Sequence, residues 1–244
     1  MRNVWTIASR EYKLYFASPA AYMVAFMLLL IMGVIFYANI AGSIIQQFPP
    51  TIQGVYGPLV TLLLFATPAI TMRLLAEEQR LGTMELLLTA PVQDWELVVG
   101  KWLGGFLFVL TILAVTWLYP IFMNQIVKPG IDQGPLVTGY LGLMLFTASL
   151  VAVGVAVSAL FANQIAVFFA TLGVYLVLWL ISLPSQALGQ PIGGELLHYL
   201  DISEHFFNTF YLGTIDLSDI VYFLSLTALA LYIGTVLVET RRWR

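Results

Sequence analysis

The chain has no cysteine among its 244 residues and only two histidines. The first absence excludes disulfides, thiol catalysis and Cys-ligated metals. The second leaves little from which to build a histidine metal cage. Charge is scarce as well: 9% of the residues are Asp, Glu, Lys or Arg, where soluble domains carry about a quarter. A formal net charge of −3 offers nothing to a phosphate backbone, so no nucleic-acid partner is expected. No G-x-x-x-x-G-K-[ST] occurs, since Gly100-Lys101 is followed by Trp102 and lacks the earlier glycine. The chain therefore has no phosphate cradle of its own for ATP. Neither G-x-S-x-G nor H-E-x-x-H is present, nor any TVGYG-like filter. No ionisable residue falls deep in an apolar run, which removes the usual means of coupling to a proton or ion gradient.

What the chain does have is apolar sequence: 60% of it is hydrophobic and its mean hydropathy is +0.92. Uncharged runs recur at the length that crosses a bilayer, placing spans at about 20–40, 56–74, 101–122, 138–160, 165–183 and 219–238. The expectation is an all-α integral membrane protein with six transmembrane helices in a single domain over 1–244. The first run exceeds the roughly 7–15 residues of a signal-peptide h-region and no A-x-A site follows it, so it reads as a span and not as a cleaved leader.

Basic residues set the orientation. With six spans and an inward N-terminus, Arg2, Arg10, Lys13, Arg73, Arg80, Lys101, Arg241, Arg242 and Arg244 lie in the cytoplasm and only Lys128 lies outside. The outer loops, near 41–55, 123–137 and 184–218, collect Asp132, Glu195, Asp201, Glu204, Asp216 and Asp219.

Residues 1–18 predict an interfacial helix with Val4, Trp5, Ala8, Tyr12, Tyr15 and Phe16 on one face and Arg2, Asn3, Thr6, Arg10 and Lys13 on the other. Pro19 disfavours helix at Ser18 and turns the chain into span one. The cytoplasmic loop over 75–100 belongs to the most informative stretch, which concentrates Arg73, Glu77, Glu78, Arg80, Glu85, Asp94, Glu96 and Lys101. Arg73, Glu77 and Arg80 at i, i+4 and i+7 suit a solvated extension of span two, and Gly82 suits its end. Thr83–Ala90 predicts a short helix with Met84, Leu87 and Leu88 on one face, stopped by Pro91, with Asp94 as the next N-cap. That short helix either rests on the bilayer or docks in a partner's groove. Small residues in spans four and five (Gly142, Ala148, Ser149, Ala152, Gly154, Ala156, Ser158) point to close helix packing. The segment over 184–218 is too apolar for a free loop and predicts short helices dipping back into the outer leaflet. His198 and His205, seven residues apart, could share a helical face, but two histidines with scattered acids fall short of a metal site, and water or headgroups would satisfy them.

These features together resemble the ABC-2 type permeases, most closely the gliding-motility branch with its GldF-like permeases. The carrying stretches are REYKLYFASPAAYM, the E-x-x-x-G-T-x-E-x-L-L-x-x-P pattern at Glu78–Pro91, and G-x-I-D-x-x-D-x-x-Y-F-x-S-L at Gly213–Leu226. The resemblance implies a transport subunit that is not itself an enzyme, with an interfacial helix, a cytoplasmic coupling helix and re-entrant outer helices before helix six. It implies a multi-pass protein of a bacterial plasma (inner) membrane with both termini cytoplasmic. It also implies two ABC ATPase subunits, which hold the ATP and Mg, so that no cofactor sits on this chain. A second permease chain, expected as a homodimer, and an auxiliary membrane protein with a large extracytoplasmic domain are the other partners implied, along with membrane lipid. Residues expected at the ATPase contact are Glu78, Arg80, Thr83, Glu85, Leu88 and Pro91. Leu62, Phe65, Thr67 and Ile70 are candidates for the dimer axis or pathway, because Thr61, Thr67 and Thr71 add a weak polar stripe. The expected function is ATP-driven export of a lipidic, amphipathic or peptide substrate. The rivals are mechanotransmission to an extracytoplasmic partner without cargo, and a non-energised membrane scaffold.

Overall fold

A proline at the head of the first apolar run separates two helices. In the computed structural model, which describes residues 2–47, 49–83, 92–128, 130–183 and 194–242, α1 covers Arg2–Ala17 and α2 covers Pro19–Gln46. Ser18 between them is extended (φ −98°, ψ 119°), the conformation that a following proline favours. α2 runs farther than its sequence indicates, and Gln47 closes it in a left-handed conformation with its N–H on Ser43 O. The loop expected from residue 41 is therefore shorter and begins at Gln47.

α3 spans Gln53–Thr71, and a turn leads to the short α4, Ala76–Leu81. Gly82 ends α4 at φ 70°, a backbone conformation that glycine adopts without penalty. α5 spans Asp94–Thr116. Its N-cap is Gln93 and not Asp94: the Gln93 side chain and Glu96 exchange hydrogen bonds with each other's backbone in a capping box, which leaves Asp94 as the first helical residue. α6, Leu118–Ile126, follows after a break at Trp117. Pro120 lacks the N–H that would continue the ladder to Thr116, which accounts for the break. α7 is Gln133–Ser158, capped by Asp132 through Gly134 N, and α8 is Gln164–Leu180, capped by Asn163. α9 (Gly194–Leu200), α10 (Ile202–Phe207) and a 3-10 turn (Phe210–Leu212) lead to α11, Leu217–Arg242. Asp216 accepts from Ser218 N at 3.0 Å ahead of α11, which holds its carboxyl below the usual range.

Among the described residues every regular element is helical, and five helical stretches are long and apolar enough to cross a membrane. They are α2, α3 with α4, α5 with α6, α7, and α11. α8 is also apolar but has 17 residues, near the lower limit of about 17–25 for a crossing.

α7 is the axis of the bundle, packed by α3, α5, α8 and α11, and 78% of its apolar window is buried. Its small residues make this possible. Gly139 lies under the Tyr56 ring, Gly142 under Phe210 and Gly154 against Thr71, each too close for a Cβ. α2, by contrast, packs mainly on α3, and only 11% of its window is covered.

Only part of the apolar stripe of α1 faces the bundle. The helix packs along α5, where Gly100 and Gly104 open a groove. A Cβ on Gly104 would come within 2.6 Å of Glu11 Cβ, and one on Gly100 within 2.8 Å of Ile7 Cβ. The covered face therefore holds Ile7, Ala8, Glu11 and Tyr15, while Trp5 stays 62% exposed. The expected short helix at 84–90, Pro91, and the glycines and prolines of 184–193 lie outside the described residues.

Candidate functional site

The bundle has a basic end, where α1, α4, the start of α5 and the junction of α7 and α8 meet. Lys101 sits in its centre, 1% exposed. Its ammonium lies 3.0 Å from Glu11 Oε1 of α1 and 2.9 Å from Glu78 Oε1 of α4. One cation thus joins three helices through two carboxylates. Removing charges from water costs several kcal/mol per ion before attraction offsets it. The arrangement therefore fixes positions more than it adds stability. Glu78 Oε2 is buried without a hydrogen-bond partner.

A second tie runs from α7. Ser158 Oγ accepts from the backbone N–H groups of Leu75 (2.9 Å) and Ala76 (3.1 Å), both fully buried. The last residue of α7 thereby caps the first turn of α4, whose own N-cap position, Leu75, has no side chain able to do so. Gln79 Nε2 donates to Ala159 O at 3.0 Å. A third tie is Arg73, which donates to Ser18 Oγ at 2.6 Å and lies 4.2 Å over the Tyr15 ring. Tyr15 in turn donates to Ile70 O at 2.8 Å. Burial pushes its hydroxyl up against the opposing pull of Arg73, so it remains a neutral donor.

A cleft of about 590 Å³ opens beside this network between α1 and α4, lined by Arg10, Glu11, Arg73, Glu77, Glu78 and Lys101 among others. Thr83 stands at its edge, with its N–H on Glu78 O at 3.0 Å. In the E-x-x-x-G-T-x-E pattern, Glu78 is the anchored carboxylate, Gly82 the helix stop and Thr83 the first residue beyond it.

Of the residues expected at a partner contact, Arg80 is exposed, Thr83 is half-buried and Glu78 turns inward to Lys101. Glu85, Leu88 and Pro91 lie outside the described residues. Of the axis candidates, Phe65 is 47% exposed and Leu62 half-buried, whereas Thr67 (0%) and Ile70 (2%) are enclosed within the chain. The threonine stripe has a local cause: Thr61, Thr67 and Thr71 each donate to the carbonyl four residues back. Glu11, Lys101, Ser158 and Gln79 were not singled out from sequence as one site. The Gly100–Gly104 pair around Lys101 was the available signal, since small residues four apart admit a second helix.

At the opposite end, His198 and His205 do not share a helix, because Asp201 ends α9 and caps α10 through Ser203 N. Nor is His205 left to water: its ring is buried and held by protein groups on both nitrogens. Among the described residues no group of three or more His, Cys, Asp or Glu side chains could hold a metal.

Long apolar helices around a buried axis, with a charged and interlocked end, define a multi-pass membrane protein. A family described as ABC-2 family transporter protein matches residues 45–193, more than half of the chain, and the protein belongs to that family. No curated protein matches it.

Proposed function

We propose that this chain is the permease subunit of an ATP-driven ABC exporter, nearest to the gliding-motility permeases, in a bacterial inner membrane. Six helices cross the bilayer, α8 among them, and the basic end faces the cytoplasm with both termini. α1 lies at the cytoplasmic surface, and α9 and α10 form the re-entrant outer segment. ATP and Mg belong to two separate ATPase subunits.

The observation that carries this reading is the interlocking of α4. The segment entering Thr83–Pro91 is tied to α1 and α5 through Lys101 and to α7 through Ser158. A push that reaches α4 is therefore carried to the bundle axis through these ties. Arg80, Thr83, Glu85, Leu88 and Pro91 meet the ATPase in this reading. Glu78 acts from beneath, holding α4 to the bundle. The cargo is lipidic, amphipathic or a peptide.

The test is to co-purify the permease with its ATPase in lipid nanodiscs and replace Thr83–Ala90 with a Gly/Ser linker. Stimulated ATP turnover and ATP-dependent flux of a labelled lipid or peptide should both be lost while the permease stays inserted. Normal coupling in that variant overturns the reading. ATP turnover with no flux of any cargo would identify a mechanotransmitter.

A further inference from the structure

His205 makes two hydrogen bonds that a neutral histidine cannot make against two proton-free acceptors. Nε2 lies 2.8 Å from Tyr199 O at the end of α9, and Nδ1 lies 2.6 Å from Asp219 Oδ1 in the first turn of α11. The carbonyl must receive the Nε2 proton. Nδ1 then faces a carboxylate oxygen, and one further proton has to sit between them. The ring is 8% exposed and Asp219 6%, so bulk water does not relieve a proton-free pair. Asp219 Oδ2 has no partner of its own.

The surroundings of the ring are aromatic and acidic. Tyr222 of α11 stacks on the His205 ring at 3.8 Å and 19°, presenting the negative face of its π-system. Its hydroxyl donates to Leu200 O at 2.9 Å, a second link from α11 to α9. Tyr199 of α9 meets the ring edge-on at 5.3 Å. The adjoining cleft of about 510 Å³ is lined by Glu195, His198 and Glu204, and among the described residues no lysine or arginine joins that lining. Glu204 is taken up by His198 at 2.8 Å, and Asp201 turns to Ser182 and Ser203. The charged groups facing His205 from each packed element are therefore acidic, or histidine already paired.

We propose that His205 and Asp219 form a proton-dependent latch that clamps the α9–α10 segment onto α11, closed with one shared proton and loosened when it leaves. This assigns a role to the Gly213–Leu226 motif: Asp216 caps the helix, and Asp219 and Tyr222, three residues apart on one face, grip His205. The sign follows from proton counting. The closed state binds one more proton than the open state, so closure is favoured at low pH and weakens as pH rises. Which compartment supplies the proton depends on the orientation proposed above; the latch and its test do not.

The test uses the full chain in nanodiscs and hydrogen-exchange protection of the 202–209 amides, corrected for intrinsic exchange, from about pH 5 to about pH 9. Between the pH at which the opened segment gives up the proton and the higher pH at which the closed latch does, the wild type should lose protection about tenfold per pH unit, the slope for one proton. D219N should stay protected at high pH, because the introduced amide can donate to Nδ1 of a neutral ring. H205F should be unprotected throughout. Ring nitrogen-15 spectra of the wild type, with H198Q to assign them, should show both His205 nitrogens protonated while protection is intact. Wild-type protection that does not fall with pH overturns the proposal. So does an Nδ1 that, in the protected state, neither carries a proton nor accepts a hydrogen bond from a protonated Asp219, and that spectrum decides the matter even if D219N fails to insert.

Discussion

Two carboxylates and one ammonium share the space where α1, α4 and α5 meet, and the imbalance of charge makes the three residues unequal. Lys101→Met removes the ammonium that both carboxylates bind and leaves Glu11 and Glu78 facing each other with side chains 12% and 15% exposed. Breaking a buried ion pair from one side costs about 3–5 kcal/mol, and a loss of that order is expected in detergent unfolding of K101M. Glu78→Gln should behave differently. It deletes the surplus negative charge, keeps an oxygen for Lys101 and leaves the Glu11 pair intact, so a loss near 1 kcal/mol is expected. Adding E78Q to K101M should recover part of the stability. Equal losses for the two single variants would mean that the ion pairs are not what holds the three helices. Ser158→Ala tests the other tie. It strands two buried N–H groups at Leu75 and Ala76, at a cost of about 1–3 kcal/mol. Hydrogen exchange should show this as faster exchange confined to α4 and the turn before it. Unchanged exchange there would remove Ser158 from the site.

At the scale of elements, α1 depends on the two glycines of α5. Gly104→Leu places a branched side chain where Glu11 Cβ and Ala8 O already stand, at 2.6 and 3.0 Å from the first added carbon. α1 should lift away and expose itself to proteolysis between Arg2 and Lys13, while α5 to α11 keep their thermal transition. Protection of α1 equal to wild type would show that α1 is held by the membrane surface and not by the groove. The same helix marks the limit of what the chain alone discloses. Apolar run length placed every long helix, because a bilayer demands satisfied backbone over a fixed thickness. Turn chemistry placed Ser18 and Gly82, because their backbone roles are local, but it set the N-cap of α5 at Asp94, one residue past Gln93. The covered face of α1 was not legible, since amphipathic periodicity ranks Trp5 with Tyr15 and cannot tell which of them meets a neighbour. The Lys101 triad was hidden for the same reason: Glu11, Glu78 and Lys101 are far apart in the chain, and each alone reads as a charge flanking a span. Ser158 read as a small packing residue because its partner is backbone, which carries no sequence signal. His205 escaped because the break at Asp201 folds it back onto α11.

For the whole molecule, the uncovered surfaces decide where a second copy can sit. α3 keeps one open stripe, with Thr61, Leu62 and Phe65 along it, and turns Thr67 and Ile70 into its own bundle. A dimer formed about a two-fold axis uses the same patch on both copies, so a residue on that axis must be reachable from outside. Phe65 is 47% exposed and meets this condition; Thr67 is fully buried and does not. If α3 lines the axis of a homodimer, F65C in this cysteine-free chain should give disulfide-linked dimers on oxidation in native membranes. T67C should remain monomeric on the same gel, because its sulfur would lie against the Leu63 carbonyl and away from the partner. The pair of variants separates the possibilities cleanly. Cross-linking at 65 alone supports the α3 axis. Cross-linking at both positions would mean that α3 rotates or the bundle opens in the membrane. Cross-linking at neither, with one copy of this chain beside a different permease after purification, would replace the homodimer with a heterodimer and leave the membership in the ABC-2 family untouched.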